Sequence, residues 1–239
     1  MPNNTYKFAD TVINVSCQSD YIVKMCKDYV SDEVAEYSID VTRDDVALEN
    51  EKADREGYPY GYLESLALYR KFCSEVVHKD ILLFHSSAIA VDGRAYLFAA
   101  PSGTGKSTHT GLWRKVLGDR AIMVNDDKPL LKLSGETLTV YGTPWNGKHG
   151  LSNNMSAPVA GICFLARGEK NNIKRLSPME ALPMFLSQTF RPESEDGARK
   201  MLELVMKITM GIPMWKLECN ISEEAVKVAY EGMSGNKLN

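Results

Sequence analysis

The sequence predicts an α/β protein in which a small α+β lobe, residues 1–80, precedes a core, residues 81–239, built on a mixed β-sheet. Three observations lead there. Short apolar strands alternate with amphipathic helical stretches through the 239 residues. Around residue 80 a helical pattern, with Tyr62, Leu66, Tyr69, Cys73 and Val76 on one face, gives way to a strand-rich run from Ile81. Within that run, Ala95-Tyr-Leu-Phe-Ala-Ala-Pro-Ser-Gly-Thr-Gly-Lys-Ser-Thr108 carries an apolar strand through a glycine-bearing turn into a helix start.

In the lobe, Val12 to Cys17 reads as a strand. Ile22, Met25, Cys26 and Tyr29 follow at helical spacing behind Ser19 or Asp20 as cap. Tyr37 to Val41 is a second strand, and the charged stretch Arg43 to Arg55 is expected to be solvated, mobile or irregular. In the core, Ile81 to Val91 and Arg94 to Ala100 flank Asp92-Gly93, the signature of a hairpin. A helix then runs to Gly118, Ala121 to Val124 forms a buried strand, and Ser134-Gly135-Glu136 joins two strands of another hairpin. Val159 to Ala166 is a further strand. Ser177-Pro-Met-Glu180 has capping-box spacing with proline at the first helical position. Helices over Asp196–Met210 and Glu223–Met233 bracket a strand, Met214 to Cys219.

With 28 basic against 31 acidic residues the chain has no large field to hold a nucleic-acid backbone, so any anion affinity must be local. No apolar run reaches membrane-spanning length, and the start has no hydrophobic signal segment. The five cysteines form no Cys-x-x-Cys pair, which leaves reduced, idle thiols as the expectation. A soluble, cytoplasmic protein that binds neither nucleic acid nor membrane is expected.

The stretch from Ser102 to Thr108 (Ser102, Gly103, Thr104, Gly105, Lys106, Ser107, Thr108) is a candidate phosphate-binding loop, with Ala100 where such loops usually begin with glycine. The glycines let successive N–H groups face an anion at the positive end of a helix. Lys106 reaches the outer phosphates in this reading, and the Ser107 hydroxyl holds magnesium. At the end of the next strand, Asp126 and Asp127 offer one carboxylate for the metal and one to accept a proton from an attacking hydroxyl. His85 stands in the preceding strand, either at the phosphates or as an ordinary edge histidine. Arg191 either stabilises charge on a transferred phosphoryl group or is a solvated helix-end residue. The Gly142-Thr-Pro-Trp-Asn-Gly-Lys-His-Gly150 segment presents Trp145, Lys148 and His149 as a candidate substrate loop, or else is a turn with Trp145 buried.

The combination of His85-Ser-Ser, Ala100-Pro-Ser-Gly-Thr-Gly-Lys-Ser107 and Val124-Asn-Asp-Asp127 resembles the catalytic domain of HPr kinase/phosphorylase, in the phosphoenolpyruvate carboxykinase-like superfamily of P-loop proteins. The similarity runs over roughly residues 81 to 192. It implies that His85, Lys106 and Asp126 act at the transferred phosphate, that Ser107 binds magnesium and that Asp127 adds a metal contact. Two features depart from that family: the glutamate-containing glycine-rich signature after the paired aspartates is replaced by Gly142 to Gly150, and the N-terminal lobe differs.

The resulting expectation is a kinase that uses ATP and magnesium to phosphorylate a hydroxyl, a serine of a peptide or protein before a small molecule, and that self-associates as family members do. A nucleotide-binding regulatory module without transferase activity is the alternative from another class.

Overall fold

A computed structural model describes residues 3–53 and 55–238 of the chain, which divides into two compact units, Met1–Lys79 and Asp80–Asn239. In the first unit, β1 (Asn3–Phe8) and β2 (Thr11–Ser16) form an antiparallel hairpin, and β3 (Tyr37–Asp40) pairs parallel to β2. β1 was not expected from the sequence. The hairpin turns on Ala9 and Asp10, both at positive φ (48° and 63°), as a two-residue loop of this kind requires. Helices α1 (Asp20–Met25), α2 (Arg43–Glu51) and α3 (Tyr60–Val76) complete the unit. α3 buries a broader face than its periodicity suggested, adding Leu63, Leu68 and Phe72, and Phe72 meets Phe8 edge-on at 5.4 Å.

α2 corrects the expectation of an irregular charged stretch over Arg43 to Arg55. The Thr42 hydroxyl accepts from the Asp45 N–H while the Asp45 carboxylate accepts from the Thr42 N–H, a reciprocal cap. Further along the helix, Glu49 is buried in an ion pair with Arg70. These charges have partners and therefore do not prevent a helix. Residue 54 of the stretch lies outside the described residues.

The second unit holds β4 (Ile81–Leu83), β5 (Ser86–Val91), β6 (Arg94–Ala99), α4 (Lys106–Leu117), β7 (Ala121–Asn125), β8 (Leu130–Ser134), β9 (Thr137–Tyr141), β10 (Ser156–Arg167), β11 (Asn172–Arg175), α5 (Pro178–Gln188), α6 (Glu195–Gly211), β12 (Met214–Cys219) and α7 (Glu223–Ser234). Its nine strands form one mixed sheet in the order β4-β8-β9-β10-β6-β5-β7, with β12 also on β10 and β11 on β12. β10 runs parallel to β6 and β12, and the other pairs are antiparallel. The expected hairpins on Asp92-Gly93 and Gly135-Glu136 are present, as is the reciprocal Ser177–Glu180 cap that opens α5.

The expected continuous strand from Ile81 to Val91 is instead broken at Phe84 and His85. β4 pairs with β8, whereas β5 pairs with β6 and β7. Phe84 stacks on Phe185 at 4.3 Å, the Phe190 N–H donates to Leu83 O (3.1 Å), and the His85 N–H donates to Gln188 O (2.8 Å). The segment after α5 thus takes over the backbone groups that a continuous strand would have given to the sheet. On one face of the sheet, Tyr96, Phe98, Trp113, Leu217, Val226 and Tyr230 pack into the core that fixes α4 and α7.

Candidate functional site

β6 ends at Ala99, and the chain turns through Gly103 (φ 77°) and Gly105 (φ 122°) before α4 begins at Lys106. Both angles are ones that side chains resist. The Thr104 N–H closes the turn on Pro101 O at 3.2 Å, and among the described residues the N–H groups of Gly103, Gly105, Lys106 and Ser107 donate to no backbone carbonyl. These amides at a helix start have the chemistry of an anion cradle. Ser102, Gly103 and Thr108 are exposed and Ser107 is half-buried.

Lys106 is buried, and its ammonium donates to Ala100 O at 2.9 Å. Burial lowers its pKa, the Asp127 and Asp126 carboxylates act against that, and the Lys128 ammonium reinforces it. The loop lysine and the paired aspartates therefore share one electrostatic neighbourhood.

The two aspartates differ in their surroundings. Asp126 is only 4% exposed, its N–H bonded to Leu151 O, and its Oδ1 accepts from the Ser87 hydroxyl at 2.7 Å. Ser87 Oγ also lies 2.8 Å from Thr110 Oγ1, which is 3.2 Å from Lys106 O. Thr110 Oγ1 also lies 3.4 Å from Ser107 O, so two hydroxyl protons serve four contacts. With Asp126 ionised, the arrangement that gives the carboxylate a proton is Thr110 donating to Ser87 and Ser87 to Asp126. Oδ2 of Asp126 has no hydrogen-bond partner among the described residues.

Asp127 is engaged on both oxygens, by His85 Nε2 at 3.1 Å and by the Lys128 ammonium at 2.8 Å. Burial pushes its pKa up. The His85 hydrogen bond and the charge and hydrogen bond of Lys128 outweigh that and hold the carboxyl well below its ordinary range. Asp127 is fixed as an anion, and each oxygen keeps a lone pair.

A latch ties the Gly142–Gly150 segment to this turn. The Asn125 amide donates to Thr143 O (2.9 Å) and Thr143 Oγ1 (3.0 Å), and its oxygen accepts from the N–H groups of Asp127 and Lys128. The backbone approaches closely enough to demand glycine. A side chain at 142 collides with the Asn153 and Val124 carbonyls, and a Cβ at 147 stands 2.9 Å from the Asp127 Cβ. Trp145 is buried, whereas Lys148 and His149 are exposed on the turn Gly147–His149. The three side chains do not form one presented surface, so of the two readings of this segment the structure has the turn with Trp145 buried.

The structure thus gathers His85, Lys106, Asp126 and Asp127 and sets Lys148 and His149 outward on the latched segment. Arg191 is exposed just beyond the residues bonded to Leu83 and His85. His109 and Trp113 pack inside, with Trp113 Nε1 donating to His109 Nε2 at 3.0 Å. Sequence reading missed Ser87, Thr110, Asn125, Lys128 and Thr143. The second serine after His85 and the asparagine before the aspartates stood in view, but no spacing rule links them to partners 18 to 39 residues away.

Comparison with known proteins adds a family. The family model described as "SynChlorMet cassette protein ScmC" matches residues 66–226, 161 of the 239 residues. No curated protein matches the chain. Among solved structures, the Hpr(Ser) kinase/phosphatase from Coxiella burnetii aligns with 13% identity and a TM-score of 0.35, over 64% of this chain and 94% of that one.

Proposed function

The chain belongs to the SynChlorMet cassette protein ScmC family, and we propose that it is a phosphotransferase that uses magnesium-ATP to phosphorylate a hydroxyl, most simply a serine of a peptide or protein. One observation carries this reading: a buried lysine at the start of a glycine-turned helix shares its surroundings with two carboxylates in opposite states of engagement. Asp127 is held as an anion on both oxygens, and Asp126 is held on one and free on the other.

The residues fit magnesium and the phosphates of a nucleotide. Among the described residues no cluster of three or more His, Cys, Asp or Glu forms. A metal here is thus one held by one or two protein oxygens and by phosphates, the way magnesium binds. Ser107 and Asp127 would hold it, and it would supply positive charge to the phosphates during transfer. The free loop amides and Lys106 bind the phosphates, and His85 meets the moving phosphoryl group. Asp126 takes the acceptor's proton on Oδ2 while Ser87 holds Oδ1. Lys148, His149 and Arg191, all exposed, are the side chains available to an acceptor.

The test is phosphoryl transfer to acceptor peptides by the parent and by Asp126→Asn at equal nucleotide saturation. The variant is expected to bind nucleotide as the parent does, since the amide is isosteric, and to turn over roughly 10²-fold or more slowly. Equal rates remove Asp126 from the chemistry. Tight nucleotide binding with no transfer by the parent to any peptide or small hydroxyl acceptor makes the protein a nucleotide-responsive regulator instead.

A further inference from the structure

Arg167 closes β10, the strand that lies parallel to β6, from which the loop emerges. Phe164 pairs with Ala99, the last residue of β6, so Arg167 follows three residues beyond that register, at the edge of the sheet where the loop leaves it. Its backbone is fixed there, because Arg167 pairs with Cys219 on β12 and the Gly168 N–H donates to Cys219 O at 3.0 Å. From this anchor the exposed guanidinium reaches the loop's carbonyls. Nη2 donates to Gly103 O at 2.6 Å, and Nε approaches Thr104 O at 3.4 Å.

In a trans peptide the C=O and the next N–H point in opposite directions, and no cis peptide occurs among the described residues. Holding Gly103 C=O therefore sends the Thr104 N–H the other way, where it meets Pro101 O. Holding Thr104 C=O likewise turns the Gly105 N–H away from the guanidinium, and that N–H has no backbone partner among the described residues. Both glycines in the turn carry positive φ, so the loop's own residues restrain these peptide planes weakly. The planar guanidinium, with donors in a fixed fork, supplies the missing restraint.

We propose that Arg167 is a positioning residue for the phosphate loop, clamping its carbonyl face so that the Gly105 amide is aimed in advance at a phosphate-bearing ligand. This rests on the phosphate-loop reading above. Arg167 contacts the side of the loop opposite to the amide it orients, so its role is preorganisation and not ligand contact.

The test compares the parent with Arg167→Lys and Arg167→Gln by three readouts: melting temperature, amide hydrogen exchange at Thr104 without nucleotide, and calorimetry with magnesium-ATP. Melting is expected to be unchanged, because the side chain is exposed. Thr104 exchange should speed up and ATP affinity should fall about tenfold in both variants, since a lysine keeps the charge but lacks the planar fork whose fixed donors hold the two peptide planes. If Arg167→Lys binds and exchanges like the parent, only charge matters and the clamp is wrong. If the parent binds no nucleotide, the phosphate-loop reading falls and this proposal falls with it.

Discussion

Each unit of the molecule buries a carboxylate, and the two are treated differently. In Met1–Lys79, Glu64 is fully buried on α3, and both of its oxygens are occupied by donors from the chain before α1: the Gln18 N–H, the Ser19 N–H at 3.1 Å and the Ser19 hydroxyl. In Asp80–Asn239, Asp126 is nearly as buried but has a donor on one oxygen only. Lys106 beside it uses one of three ammonium protons. Fully paired burial serves structure, because every group's desolvation is already compensated. Incomplete pairing beside a glycine-bearing turn into a helix costs stability and leaves capacity for a ligand, and that is where chemistry is to be sought.

The sharpest way to break this contrast is Glu64→Ala. It strips the partners from buried donors around Gln18 and Ser19 and is expected to cost about 3–4 kcal/mol of stability. Chemical denaturation measures this, and a loss below about 1 kcal/mol would show that the saturated carboxylate is not structural after all.

The next effect tests the core under the loop helix. Burial lowers the His109 pKa from 6.5 to about 4, and the ring accepts from Trp113 in its neutral form. Below pH 6.5 the unfolded chain takes up a proton that the folded one refuses. The His109 contribution to stability should therefore be lost as pH drops from about 6.5 to about 4, by about 3 kcal/mol, and change no further below that. Asp127 acts lower: its depressed folded value stabilises above the ordinary carboxylate range and is lost only as pH falls through that lower value. His109→Gln keeps an acceptor for Trp113 but does not titrate, so its stability should be flat across the window. A parent curve equally flat would contradict the buried neutral imidazole.

The smallest effect is at Ser87. Ser87→Ala removes the only donor to Asp126 among the described residues and should lower kcat about tenfold with KM unchanged, while Ser87→Thr, which keeps the hydroxyl, should recover most of it. A change in KM alone would place Ser87 in binding and not in holding the carboxylate.

Much of this was legible in the sequence, and the rest was hidden for physical reasons. The glycine turn into a helix over Ser102 to Thr108, the hairpin on Gly135-Glu136 and the cap at Ser177 are local patterns, written in adjacent residues. α2 was also local, with Thr42 and Asp45 at capping spacing, but its charged composition masked the signal. The break at Phe84 was not readable, because its cause is Phe185 and the 188–190 segment, about a hundred residues on. The Asn125–Thr143 latch depends in the same way on what the folded chain brings alongside, and so does the choice between the two sequence readings of Trp145, presented or buried.

The most direct test of the central claim, that Lys106 and the loop amides form a site for a magnesium-nucleotide, is calorimetric titration of magnesium-ATP into the parent and into Lys106→Ala at moderate salt. The account predicts binding by the parent and a loss of roughly tenfold to a hundredfold or more in the variant, the scale of a charge-assisted contact of about 1.5–3 kcal/mol in a desolvated site. Equal affinity in the two proteins, or no binding by a folded parent, would contradict it.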